Sequence, residues 1–314
     1  SMLNAKRQPL ELLATAGGPD AGYAALQYGA DAVYAGLKQY SARADAINFS
    51  LDELDDFVGY AHALPDPRRV YLTLNTLVYD PEMPDIIDAL AAARDIGVDA
   101  VIIQDIGLAD VARRLFPDLR LHASTQLAVH NIAGVRTLEM FGFKRATLAR
   151  ELTLHEIRGI AASAPIEIET FVHGALCYSY SGLCLYSALL RDRSGNRGAC
   201  AYCCRDSFSR PSQPDALPFS MKDAAFDDHI DDLLQAGVTS LKIEGRKKSA
   251  LYVAAVVNYY RRLLDGGLTP AAAAALKSDI RSIFIRPQTD LFSTQRRNDQ
   301  VGESRIAVHR GEAI

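Results

Sequence analysis

Along this chain, short runs of consecutive apolar residues, rich in β-branched side chains, take turns with longer stretches whose apolar positions recur every three or four residues. The first pattern suits a strand buried on both faces, the second an amphipathic helix. One phrase repeats: a helical run ending in glycine, a short polar link, then an apolar strand. It occurs at Gly29-Ala30-Asp31-Ala32-Val33-Tyr34, Gly97-Val98-Asp99-Ala100-Val101-Ile102, Gly142-Phe143-Lys144-Arg145-Ala146-Thr147 and Gly237-Val238-Thr239-Ser240-Leu241-Lys242. Each glycine suits the left-handed residue that closes a helix, so the phrase is half of a βαβ unit.

Filling in between these gives strands at Leu10–Thr15, Ala32–Ala35, Val70–Leu74, Ala100–Ile103, Leu119–Ala123, Arg145–Leu148, Ile166–Val172 and Ser240–Ile243. Eight strands alternating with helices predict an α/β fold, a closed parallel (β/α)8 barrel of the TIM type, over residues 8–268. Pro19, Pro81 and Pro84 fall at or near helix starts, where a missing N–H costs nothing. The seventh strand is followed by a cysteine-bearing insertion over 174–235, with a Ser/Pro/Gln loop around Ser209–Pro218 and one further helix. Residues 269–314 read as an Ala-rich helix and a polar tail, the start of a truncated second domain; Ser1-Met2 reads as a cloning remnant.

Composition narrows the partners. With 49% apolar and 23% charged residues, a chain of 314 residues buries a large core without disulfides. The formal net charge of -4 leaves any nucleic-acid contact to a local basic patch. No stretch approaches the roughly 18 apolar residues of a membrane span, and no signal-peptide layout opens the chain, so a cytoplasmic protein with no membrane partner is expected.

Barrel enzymes carry their chemistry just after the strands. Those positions hold Asn75, Gln104, Asp105, His122, Ser124, Gln126, Arg150, Glu151, His173, Lys242, Glu244 and Arg246. All five cysteines lie in the insertion, in the order Cys177-x6-Cys184-x15-Cys200-x2-Cys203-Cys204. Clustered thiols in a reducing compartment read as a metal site, either tetrahedral zinc or an iron-sulfur cluster. Adjacent Cys203 and Cys204 cannot both point comfortably at one centre, which leaves the fourth ligand open. Between the cysteines runs a basic, glycine-broken loop with Arg191, Arg193 and Arg197, followed by Arg205 and Arg210; arginine forks there suit an anionic substrate.

These residues resemble peptidase family U32, the collagenase-like family. Its signature is matched by Glu169-Thr170-Phe171-Val172-His173-Gly174-Ala175-Leu176-Cys177, Gly182-Leu183-Cys184 and Ser187. The likeness extends to His122-Ala123-Ser124-Thr125-Gln126, Ala149-Arg150-Glu151, Ser194-Gly195-Asn196-Arg197-Gly198 and Lys242-Ile243-Glu244-Gly245-Arg246, spanning about Leu10 to Arg262. The resemblance implies a barrel and oxygen-independent hydroxylation with a 4Fe-4S cluster, either of a pyrimidine in RNA (23S rRNA, or the wobble uridine of tRNA), linked to prephenate, or of a ubiquinone precursor. His173-Gly174-Ala175 before the first cysteine, and Cys204 four residues after Cys200, are similar to the RNA-modifying members. Carried over, the cluster ligands would be Cys177, Cys184, Cys200 and Cys204. Cys203 stands where the family usually has proline, and Tyr186 where an aliphatic residue is usual. On this reading His173, His122, Asp105 and Glu244 are candidates for proton transfer, while Asn75, Gln126, Arg150, Glu151, Arg193, Arg197, Lys242 and Arg246 are candidates for binding the substrate, with Arg150, Lys242 and Arg246 holding RNA phosphate or the carboxylates of a small metabolite such as prephenate. The inherited name suggests a peptidase, but the chain has neither His-Glu-x-x-His nor Gly-x-Ser-x-Gly. A non-catalytic scaffold with structural zinc is the other rival.

Overall fold

A computed structural model describes residues 10–210, 213–283 and 285–290. Ser1-Met2, the side chain of Arg210 and the polar tail after Asp290 lie outside the described residues. Seven parallel strands follow in order: β1 (Glu11–Thr15), β2 (Ala32–Gly36), β3 (Arg69–Leu74), β4 (Ala100–Ile103), β5 (Leu121–Ala123), β6 (Phe143–Thr147) and β7 (Glu167–Ala175). A short hairpin, β8 (Phe208–Arg210) with β9 (Gln213–Ala216), and β10 (Asp223–Ala225) precede β11 (Ser240–Ile243), which pairs in parallel with both β7 and β1 and closes an eight-stranded barrel.

Helices cover the outside because their apolar faces match the outward side of the strands. In α2 (Leu51–Ala63), which follows α1 (Pro19–Gln27), Leu54, Phe57, Val58 and Ala61 are buried at helical spacing, and a Ser50–Glu53 capping box fixes the start. The four glycines of the repeated phrase, Gly29, Gly97, Gly142 and Gly237, all have φ between 84° and 105°, the backbone that a side chain would strain. Helices α3 (Met83–Ile96), α4 (Ile106–Leu115), α5 (Ile132–Met140) and α6 (Leu154–Ala161) complete the regular units before α7 (Tyr186–Arg191) and α8 (Ile230–Ala236) of the insertion. The tyrosine-rich α9 (Ala250–Asp265) packs on α1, and α10 (Pro270–Ser282) packs on α9. Past α10 the chain adds β12 (Gln288–Thr289) beside β10.

The barrel interior is asymmetric. Strands β2 to β4 fill it with Ala32, Tyr34, Tyr71, Ala100 and Ile102, joined by Leu13 of β1. The opposite wall is charged: buried Arg145 reaches Glu11 Oε1 at 2.5 Å, Glu167 Oε2 at 2.8 Å and Glu169 Oε2 at 3.1 Å. Lys242 Nζ completes the set with Glu169 Oε1 at 2.9 Å. Burial pushes the Glu169 carboxyl up, but Lys242 and Arg145 outweigh it and hold it at about 2.

Two expectations change. The segment Ser209–Pro218, read as a loop for its Ser, Pro and Gln content, begins in the hairpin β8–β9, in which Phe208 pairs with Ala216. Alternation along β7 points Glu169, Phe171 and His173 into the barrel, but the register with β11 jumps from Lys242–Phe171 to Ile243–His173. The extra residue, Val172, is a bulge, and beyond a bulge the alternation reverses. His173 therefore faces α9, where its Nδ1 lies 3.2 Å from the Tyr260 hydroxyl.

Candidate active site

Above the charged layer, the C-terminal ends of the strands and the insertion enclose a cavity with about 1260 Å³ of empty volume, part of it open to solvent. From the barrel come Tyr34, Thr73, Asn75, Gln126, Arg150, Phe171, Lys242, Glu244 and Arg246; from the insertion come all five cysteines. The insertion is pinned from several sides. Buried Arg205 donates to Leu176 O at 2.6 Å, to Ser220 Oγ at 2.9 Å and to Met221 O. Arg197 clamps the loop to Glu82 and donates to Leu77 O at 2.9 Å, its guanidinium 4.0 Å above the Tyr79 ring. Gly198 allows the closest approach: with φ 86°, a Cβ there would meet Ser41 O at 2.2 Å.

None of the five cysteines is in a disulfide. Two sulfurs accept backbone amides, Cys184 Sγ from Tyr186 at 3.2 Å and Cys200 Sγ from Tyr202 at 3.4 Å. Burial pushes the Cys204 thiol up to about 11; Arg205 opposes this, while Cys177, Cys200 and Cys184 add to it. Cys203, the adjacent thiol, is the more buried of the pair, 2% exposed. Among the described residues, no three His, Cys, Asp or Glu side chains are gathered as a single-ion site. All five thiols line one cavity and two of them accept backbone amides; four such donors would suffice to hold a thiolate-bound cluster.

Of the residues expected at the site, the structure brings Asn75, Gln126, Arg150, Lys242, Glu244, Arg246 and the cysteines together. Asn75 Nδ2 faces Gln126 Oε1 at 3.4 Å, and Arg150 lies 5.3 Å from the centre of the Phe171 ring. Arg246 is buried and bonded to Ser41, Asn48 and Thr73, the last at 2.9 Å; burial lowers it to about 10. Glu244 accepts the Ala175 amide at 3.3 Å and pairs with Arg43 at 3.8 Å.

The remaining expected residues stand elsewhere. His122 is buried inside the barrel against Tyr71 and accepts from Arg120 Nε at 3.2 Å; burial, then the charges of Arg145, Arg120 and Lys242, hold it well below the usual imidazole range. His173, on the α9 side, is lowered to about 4 by burial. Asp105 caps α4 through the Leu108 amide at 2.9 Å, and Arg193 pairs with Asp45 on the surface. Glu151 lies just outside the cavity and holds the Ser181 amide at 2.6 Å. Sequence reasoning missed Arg43. It lines the cavity from the loop between β2 and α2, and Tyr202, Glu244, Cys200 and Cys177 favour its charge against the cost of burial. Its signal was available, because that loop also follows a strand end. Arg205, next to the last cysteine, was seen as a phosphate binder, yet its donors are turned to the backbone and Ser220.

The sequence profile of peptidase family U32 matches residues 17–303. The chain is 36% identical over 281 residues to tRNA hydroxylation protein P1 of Bacillus subtilis, covering 84% of this chain and 66% of that protein. It is also 36% identical over 306 residues to the 23S rRNA 5-hydroxycytidine C2501 synthase of Escherichia coli, covering 92% of this chain and 46% of that protein. The chain thus spans about two thirds of the first and less than half of the second. Among solved structures, the U32 peptidase Mk0906 superposes with a TM-score of 0.52 at 16% identity, over 77% of this chain and 95% of that one, which supports the barrel. With the signature around Cys177 and Cys184 set at the mouth of such a barrel, the chain belongs to peptidase family U32.

Proposed function

We propose that this chain hydroxylates a pyrimidine base in RNA, an rRNA cytidine or a tRNA wobble uridine, without molecular oxygen, with a 4Fe-4S cluster on Cys177, Cys184, Cys200 and Cys204. The observation that carries the reading is the convergence of unpaired thiols, cations and one carboxylate on a single cavity at the barrel mouth. Relatives named for tRNA and rRNA hydroxylation support the choice of substrate. Such a cluster would supply electron transfer at the site. Replacing C–H by C–OH removes two electrons from the base, so the reaction needs an oxygen source and a two-electron acceptor; we assign both to prephenate, which would give up an oxygen and leave two electrons more reduced, and whose carboxylates match Arg150 and Arg43. A base stacked in RNA cannot reach the cavity, so the target base must be flipped out of its stack. Of the candidates for proton transfer, Glu244 lines the cavity and takes that role, while His173, His122 and Asp105 serve packing and capping.

Peptidase chemistry on a thiol needs an imidazole beside it. Among the described residues, no histidine lines the cavity. A cytoplasmic setting fits five unpaired thiols, and among the described residues no helix is long and apolar enough to cross a membrane. Total rRNA and tRNA nucleosides, compared by mass spectrometry with and without the gene, should differ by one hydroxypyrimidine. Cys204→Ser should lose bound iron, sulfide and that product together, whereas Cys203→Ser should retain all three. Stoichiometric zinc without iron or sulfide, after anaerobic purification, would sink the proposal.

A further inference from the structure

An aromatic pair at the lip of the cavity has no part in the chemistry above. Tyr180 opens the turn between Cys177 and Cys184 and is 59% exposed. Its neighbours in that turn, Ser179 and Gly182, line the cavity, so the ring stands beside the opening. One face of Tyr180 lies flat on His130, with centroids 4.8 Å apart and planes 8° from parallel. Exposed tyrosines usually turn freely, but this one is fixed from below. Ser181, behind it, is buried with φ 45° and ψ 29°, a left-handed backbone costly for a residue with a side chain. Glu151 holds it there, accepting the Ser181 amide at 2.6 Å and its hydroxyl at 3.1 Å. The same carboxylate lies 3.3 Å from His130 Nε2, while His130 Nδ1 donates to Ala128 O at 2.6 Å. Glu151 therefore fixes the Ser181 turn and stands beside the His130 ring, and the outer face of Tyr180 is left to solvent.

We infer that Tyr180, backed by His130, is a stacking platform for a nucleobase of single-stranded RNA next to the base that enters the cavity. A rigid aromatic face open on one side is what an unstacked base requires, whatever its identity. Arg150, on the cavity side of the same turn, comes within 3.7 Å of the position a Cβ would take at Gly182, which sets the platform directly beside the cation that faces the cavity. The inference rests on the reading of the chain as an RNA hydroxylase, and the test separates the two.

Anaerobically reconstituted protein is titrated with fluorescein-labelled oligouridylate and with an abasic ribose-phosphate oligomer of the same length. Tyr180→Ala should weaken oligouridylate binding about tenfold, while Tyr180→Phe stays near the parent and neither change alters binding of the abasic strand. Tyr28→Ala, an exposed tyrosine at the end of α1, serves as the control and should change nothing. Because the chain has no tryptophan, Tyr180→Trp adds a single reporter, whose emission oligouridylate should quench and the abasic strand should not. Equal oligouridylate binding by the parent and Tyr180→Ala would overturn the platform while leaving the hydroxylase reading intact. A parent protein that binds neither oligomer would overturn both.

Discussion

Arg145 and Arg150 stand near opposite ends of one strand connection, the first inside the barrel and the second at its mouth. Arg145 is 2% exposed and meets Glu11, Glu167, Glu169 and the Ser240 hydroxyl, so its charge is matched within the protein. Arg150 lies over the Phe171 ring and, among the described residues, has no carboxylate partner. The interior charges are saturated by one another and hold strands together; a cation facing open space and thiols keeps its capacity for a ligand. A buried ion network adds little net stability over an apolar core, yet removing one member leaves the others unpaired and is costly.

The comparison can be broken at its strongest point first. Arg145→Leu takes from Glu11 and Glu169 their shared cation, leaving Arg69 to the first and Lys242 to the second, and should cost about 3 kcal/mol in urea denaturation; an unchanged midpoint would mean that the interior layer is not structural. His173 sharpens it at a site where burial acts without a saturating partner. Burial lowers its folded value from 6.5 to about 4, with Asp223 and Asp227 opposing and Lys248 adding to the shift. Above pH 6.5 the imidazole is neutral folded or unfolded; as pH falls from there to about 4, the unfolded chain takes up a proton that the folded one refuses. About 3 kcal/mol of stability is lost across that window, and His173→Phe should flatten that part of the pH profile. His122, also held low by burial, steepens the same slope in both proteins. The smallest effect on stability is expected at the mouth. Arg150→Gln should leave the free energy of unfolding within about 0.5 kcal/mol and weaken binding of the dicarboxylate co-substrate about tenfold. A destabilisation like that of Arg145→Leu would erase the distinction between the two arginines.

Much of this molecule was legible because its signals are local. The glycines at 29, 97, 142 and 237 close helices as their places in the phrase imply, and the strand boundaries differ from expectation by only a few residues at an end. The cysteine spacing pointed to one cavity because the insertion is a compact segment with its own clamps, Arg197 and Arg205. His173 was misplaced because a bulge is a property of two paired strands, and its partner register lies in β11, far along the chain. Arg43 was missed because its loop reaches the thiols only after Asn48 Nδ2 gathers the carbonyls of Arg43, Ala44 and Ala46.

By itself the sequence determined the barrel, the place of the insertion and the set of thiols, since helix and strand periodicity, helix-closing glycines and cysteine spacing all act within short stretches of chain. Only the tertiary structure decided which charges are spent on one another and which face the cavity. Arg145 meets Glu11 across 134 residues of chain, and no local pattern records a pairing that exists only once the barrel has closed.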